Sequence, residues 1–260
     1  MSKGILYGVS LGPGCPDLMT RRAWALLQSD RTWAYPIRNP NSDSYALDIA
    51  LRAGIKVPSQ AMPLIFPMTH DAEKLAKYWL KAAESVLEKL QRGQDVLFLV
   101  EGDASTYSTF GHLARTVLAL DERIRVETIA GVSSFNAAAA RLKMPLADVD
   151  DTIAIIPAGY GIKTISQRLD QFDTLILLKV KPLLDEIIDL LSERGLLKQS
   201  RFIEKAGSPD ERIVEDVASL HGEKVNYLSL LLVKNPDRPR GEMIRGCRKR
   251  VAPNTGKIDE

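Results

Sequence analysis

Val96-Leu97-Phe98-Leu99-Val100 is an unbroken apolar run that stops at Glu101-Gly102-Asp103. A strand-length run without a polar interruption is the pattern of a parallel strand buried on both faces, so it commits the chain to an α/β sheet covered by helices. Beyond the acidic turn, Phe110, Leu113, Val117 and Leu118 recur at helical spacing. In open α/β sheets ligands bind outside the carboxyl ends of strands, which makes this turn a candidate site. The hydroxyl-rich run Ser105-Thr106-Tyr107-Ser108-Thr109 suits a polar ligand. Asp103, Ser105 and Ser108 are equally placed to cap the helix by accepting its free amide hydrogens.

The same grammar recurs on either side. Ile5 to Leu11 reads as a first buried strand, followed by Gly12-Pro13-Gly14 and a helix with Leu18, Ala23, Ala25, Leu26 and Leu27 on its apolar face. This turn is neither a dinucleotide fingerprint, whose third glycine is replaced by Asp17, nor a phosphate loop, whose Gly-Lys-Ser/Thr ending is absent. Strands are expected at Thr32 to Pro36, Ala61 to Phe66 and Arg125 to Ile129, with helices at Tyr45 to Ala53 and Ala72 to Gln91. Ala130-Gly131-Val132-Ser133-Ser134 then opens a helix from Asn136 to Leu142. Its small residues Ala137 to Ala140 let it approach a ligand or a neighbouring backbone closely, or reflect helix propensity alone.

A second half starts at Thr152, with strands at Ile153 to Ile156, Thr174 to Val180, Arg201 to Glu204 and Tyr227 to Val233. Alternating strands and helices imply a mostly parallel sheet. The expected layout is an α/β domain over 1–147, a second over 152–234, and a weakly ordered Pro-, Gly- and charge-rich tail over 235–260.

Composition narrows function by exclusion. No apolar run approaches a membrane span and no signal peptide is visible, so a cytoplasmic protein is expected, with no membrane partner. Cys15 and Cys247 lie far apart and His70, His112 and His221 are scattered, so no metal site is expected. A net charge of +2 argues against a nucleic-acid partner.

GPG after the first strand, EGD after a central one, AGVSS after the next and a second α/β half together resemble the tetrapyrrole (precorrin-type) methyltransferase family, over about Leu6 to Val233. AYP at Ala34 to Pro36, SYA at Ser44 to Ala46, FPMTHD at Phe66 to Asp71 and YSTF at Tyr107 to Phe110 look most like its precorrin-2 carbon-20 methyltransferases. The resemblance implies two α/β domains with a ligand trough between them, a homodimer, and S-adenosylmethionine as methyl donor to the tetrapyrrole. It places cofactor contacts on Pro13, Glu101, Gly102, Asp103, Thr106, Ser133, Ser134, Lys179 and Ala206. Tyr107 and Ser108 are candidates for the substrate side, with Arg38. The chain departs from the family pattern at Ala104 and Ala130, where prolines are usual and would fix φ.

The expected reaction is methyl transfer to carbon 20 of precorrin-2, giving precorrin-3A in cobalamin biosynthesis. Cobalt-factor II is the alternative acceptor, and a non-catalytic protein that binds S-adenosylmethionine or a tetrapyrrole is the alternative of another class. No catalytic base is identifiable in the sequence. Because the substrate is anionic and the chain nearly neutral, a local cation cluster is required, with Arg21, Arg22, Arg38, Arg141 and Lys143 beside the site turns. Arg38 leads them because it lies in a turn cluster after a strand and can bind a carboxylate bidentately.

Overall fold

The computed structural model describes residues 2–69 and 71–240. His70, Cys247 and the 241–260 part of the expected tail lie outside them. In chain order the first half comprises β1 (Ile5–Ser10), α1 (Arg21–Leu27), β2 (Thr32–Ile37), α2 (Tyr45–Arg52), β3 (Met62–Ile65), α3 (Ala72–Gln91), β4 (Val96–Val100), α4 (Phe110–Leu120), β5 (Arg125–Ile129) and α5 (Ser134–Arg141). The second half comprises β6 (Ile153–Pro157), α6 (Ile162–Leu169), β7 (Thr174–Leu178), α7 (Leu184–Glu193), β8 (Ser200–Glu204), β9 (Arg212–Val214) and β10 (Ser229–Lys234).

The first sheet is all-parallel in the order β3-β2-β4-β1-β5. Its central strand β4 is buried along its whole length. Val96, Phe98 and Val100 face α3 and α4, whereas Leu97 and Leu99 face α1 and α2 with Trp33. Two apolar faces leave no position for a polar residue, and that is why the run lacks alternation. The first three helices begin where side-chain oxygens meet free amides: Thr20 accepts from Ala23, Ser44 from Leu47 and Asp71 from Lys74.

The second sheet, in the order β6-β7-β10-β8-β9, is mixed and mainly antiparallel, where a mostly parallel sheet was the expectation. Only β6 and β7 pair in parallel; β10 runs antiparallel to both β7 and β8, and β8 antiparallel to β9. No α-helix separates β8, β9 and β10, so none of these connections supplies the crossover that parallel pairing needs. One face packs on α6 and α7. The other carries Ile176, Ile203, Leu230 and Leu232 and packs on Ala138 of α5, with Ala139, Leu142 and Met144 beside it. The alanine run of α5 therefore lets the helix lie close to the second sheet.

The beginning of the expected weakly ordered tail is instead anchored. Asp173, next to β7 and almost fully buried, accepts from the Thr152 backbone N–H and hydroxyl, both at 2.8 Å. It also accepts from Arg238 and Arg240, and Arg240 reaches on to Asp151 at 2.7 Å. The Asn235 backbone N–H bonds to the Asp173 carbonyl. Two guanidinium groups have found a buried carboxylate, and this holds residues 235–240 in place.

Burial pushes the Asp173 carboxyl upward, but the bonds from Arg238 and Thr152 outweigh it and hold its pKa far below the ordinary range. A depressed folded-state pKa gives stability that is fully present above the unfolded value of about 3.9 and is lost as pH falls toward the folded one. Asp173→Ala is therefore expected to cost on the order of 1.5–3 kcal/mol at neutral pH. In urea titrations the gap between mutant and parent should narrow as pH drops below about 4; a gap independent of pH would refute the network's role.

Candidate active site

Three strand-end turns meet at the carboxyl edge of the first sheet. β1 and β4 are neighbours there, although α1, β2, α2, β3 and α3 separate them in sequence. Their turns are joined backbone to backbone. Gly12 N–H donates to the Gly102 carbonyl at 3.2 Å and Gly102 N–H to the Gly12 carbonyl at 2.8 Å, with φ of 75° and 73°. Both angles lie in the left-handed region that glycine enters without a steric penalty.

The third turn, after β5, is tied in by side chains. Ser10 is fully buried; its hydroxyl donates to the Ile129 carbonyl at 2.5 Å and accepts from Ala104 N–H at 2.8 Å. The proline usual at position 104 could not make the second bond, so a hydrogen bond here replaces the restraint of a ring. The Asp103 Oδ2 accepts from Gly131 N–H at 2.7 Å. A side chain at Gly131 has no room, because its Cβ would lie 2.3 Å from Ser10 Cβ and 2.9 Å from the Gly102 carbonyl.

The two carboxylates of the EGD turn have different surroundings. Asp103 is 8% exposed, and its Oδ1 takes the Ser105 N–H, the Ser105 hydroxyl and the more distant Thr106 hydroxyl. Burial raises its pKa, yet bonds from Ser105, Gly131 and Thr106 together set it below the ordinary value. The bond from Gly131 thus ties Asp103 to the neighbouring turn, while those from Ser105 and Thr106 hold it within its own. The Glu101 carboxylate has no hydrogen-bond partner among the described residues. Its surface is open to solvent, but protein crowds around it, and the resulting desolvation raises its pKa against the opposing charge of Arg38.

These turns form one wall of a trough of about 790 Å³ whose opposite wall is the second sheet. All the expected contacts line it: Pro13, Arg38, Glu101, Gly102, Asp103, Thr106, Tyr107, Ser108, Ser133, Ser134, Lys179 and Ala206. The Ser133 and Ser134 hydroxyls have no protein hydrogen bond among the described residues. Tyr107 reaches across the trough, donating from its phenol to the Ile155 carbonyl at 3.3 Å. Ser108 accepts from Phe110 N–H at the start of α4. Tyr107, Lys179 and Lys205 hold φ of 51°, 56° and 46°, a region costly for residues with a Cβ. Strain at three positions of one cavity is a mark of a functional site.

Of the five cations considered, only Arg38 lines the trough. Arg22 is paired with Glu127 and Arg141 with Glu211, while Arg21 and Lys143 lie elsewhere. Lys179 and Lys205 complete the cationic lining from the ends of β7 and β8. Lys205 and Tyr45 were not identified as site residues from sequence. Lys205 directly follows the expected strand Arg201 to Glu204, but the closeness of that strand end to the first sheet leaves no mark in the sequence. Tyr45 donates to the Pro13 carbonyl at 3.2 Å; burial raises its pKa, a bond with Ser208 lowers it, and the charge of Glu101 raises it further.

Among the described residues no group of three or more His, Cys, Asp or Glu side chains is arranged to hold a metal ion. No described helix is long and apolar enough to cross a membrane.

Asp103→Ala should then do more than remove a ligand contact. Freeing Gly131 N–H and the Ser105 donors is expected to cost about 1.5–3 kcal/mol of stability. Gly131→Ala should lower the melting temperature as well, because its neighbours are backbone and a buried serine. Thermal unfolding of each variant checks this, and melting at the parent's temperature would contradict the turn-joining role.

The sequence profile of the Tetrapyrrole (Corrin/Porphyrin) Methylases matches residues 5–220. The chain is 32% identical over 231 residues to a cobalt-precorrin-2 C(20)-methyltransferase of Salmonella typhimurium, covering 88% of this chain and 96% of that one. It is 31% identical to a probable cobalt-precorrin-2 C(20)-methyltransferase of Methanocaldococcus jannaschii, covering 88% and 95%. A precorrin-2 C(20)-methyltransferase of Sinorhizobium sp. is 28% identical, covering 91% and 98%. Among solved structures, uroporphyrin-III C-methyl transferase from Thermus thermophilus, complexed with S-adenyl homocysteine, superposes with a TM-score of 0.59 at 23% identity, covering 89% and 97%. A cobalt precorrin-4 methyltransferase superposes at 0.65 and 22% identity, covering 88% and 94%. With its profile match covering the first sheet and all of the second but β10, this chain belongs to the tetrapyrrole methylase family.

Proposed function

We propose that this protein transfers the methyl group of S-adenosylmethionine to carbon 20 of precorrin-2, in the cobalamin pathway. One observation carries the reading: the GPG, EGD and AGVSS turns converge on a single trough that also gathers Arg38, Lys179 and Lys205. The relatives named for carbon-20 methylation, matched along nearly their whole length, support the choice of carbon. Cytoplasmic location and a homodimeric state belong to the same reading, and light scattering at twice the chain mass would support the dimer.

The donor set fits S-adenosylmethionine. Its ribose hydroxyls, amine and carboxylate need donors and acceptors, and the trough offers the hydroxyls of Ser133 and Ser134, each able to donate and to accept. At Gly102 an added Cβ would meet nothing within 4 Å, so backbone there faces open space into which a ligand fits closely. The bound cofactor supplies a methyl group already activated on a positively charged sulfur. The protein's task is to position the two reactants, and alignment alone is worth roughly 7–11 kcal/mol of barrier. Arg38 and Lys179 meet the carboxylates of the tetrapyrrole, and Arg38 has no ion-pair partner within hydrogen-bonding distance among the described residues; Lys205 also lines the trough, but its ammonium is paired with Asp210 at 2.8 Å. Tyr107 helps to close the trough against the second sheet.

The reading is tested with purified protein, labelled S-adenosylmethionine and, separately, precorrin-2 and cobalt-factor II, with products identified by mass. Transfer to the metal-free acceptor is expected, and label in neither product would refute methyl transfer. Arg38→Ala should raise KM for the tetrapyrrole about tenfold, a loss of about 1.4 kcal/mol, and weaken the dependence of binding on salt. Cofactor affinity by calorimetry should not change; tetrapyrrole kinetics equal to the parent's at low and high salt would remove Arg38 from the site.

A further inference from the structure

Methylating a bridge carbon that already bears hydrogen leaves a proton to be removed before the ring system regains its conjugation. On the proposed carbon-20 chemistry, some group in the trough must take that proton. The two carboxylates of the EGD turn divide sharply on this point. Asp103 is occupied by Gly131, Ser105 and Thr106. Glu101 lines the same cavity with no hydrogen-bond donor committed to it among the described residues. It extends from the end of the central strand, with Arg38 and the Tyr45 phenol near enough to interact with its charge.

We propose that Glu101 is the general base that removes the carbon-20 proton, rather than one more cofactor contact. The carbon–methyl bond forms as the sulfur–methyl bond breaks, and that bond's electron pair stays on sulfur. Carbon 20 then carries both the methyl group and hydrogen while the macrocycle holds the positive charge. The Glu101 carboxylate takes the proton, the carbon–hydrogen electrons return to the ring, and the charge is neutralised. Arg38 keeps the carboxylate ionised against the desolvation that makes it a stronger base than an ordinary glutamate.

The other ionisable groups on the trough walls are Arg38, Asp43 and Tyr45 from the β2 side, Asp103 and Tyr107 from the same turn, and Lys179, Lys205 and Tyr227 from the second sheet. Glu101→Gln is nearly isosteric and disturbs no side-chain hydrogen bond among the described residues. In single-turnover reactions with precorrin-2, proton or deuteron at carbon 20, the variant should form S-adenosylhomocysteine but release the carbon-20 proton about 10²–10⁴-fold more slowly. A primary deuterium isotope effect should emerge in the variant. The parent's acid limb, set above the ordinary glutamate pKa because burial raises it, should vanish, and Glu101→Asp should recover part of the rate. Calorimetric binding of S-adenosylhomocysteine should match the parent's.

A variant with the parent's proton-release rate and acid limb would overturn the assignment. Lost S-adenosylhomocysteine binding would overturn it too, returning Glu101 to the cofactor. A parent protein that methylates neither precorrin-2 nor cobalt-factor II would instead refute the functional reading on which this inference rests.

Discussion

The reciprocal hydrogen bonds between Gly12 and Gly102 hold the site together. They join two turns that belong to adjacent parallel strands but lie about ninety residues apart, and each requires a backbone angle natural only to glycine. Ser10 and Asp103 extend the junction to the turn after β5. What the turns after β1, β4 and β5 present to the trough is positioned from this point. A ligand contacting Pro13, Thr106 and Ser133 therefore touches one rigid surface rather than three independent loops.

The opposite wall has a different origin. The second sheet approaches through α5, whose alanines allow close packing, and at Gly14, where an added Cβ would lie 2.8 Å from both the Ala206 carbonyl and the Ser208 amide. Cations from β7 and β8 thereby face carboxylates from β4 across a confined space. In such a setting the same residue type serves opposite purposes. Hydrogen bonds fix one acid of the EGD turn in its ionised form, while crowding without hydrogen bonds makes its neighbour reluctant to lose its proton.

Much of the first sheet was legible because burial on both faces writes itself into sequence as an uninterrupted apolar run, as in β4. Strand direction in the second sheet was not, since a strand such as β10 reads the same whether its neighbours run with it or against it. The turns of the site were visible as motifs, yet the use of Asp103 depended on an amide 28 positions away. The role of Ala104 was likewise hidden: as a departure from a proline pattern it suggested a looser loop, and only the nearby Ser10 hydroxyl reveals what its amide does. Arg22 and Arg141 resembled Arg38 in sequence, but Glu127 and Glu211 had claimed them.

The Ser10 hydroxyl also bears on how the protein assembles. Its two hydrogen bonds span 94 and 119 residues of chain, so the entropy of closing those long loops must be overcome before either bond contributes. The binding turns therefore cannot be preformed in a nascent fragment. They come into register only once β1, β4 and β5 lie side by side, which makes ligand binding a readout of completed folding of the first sheet.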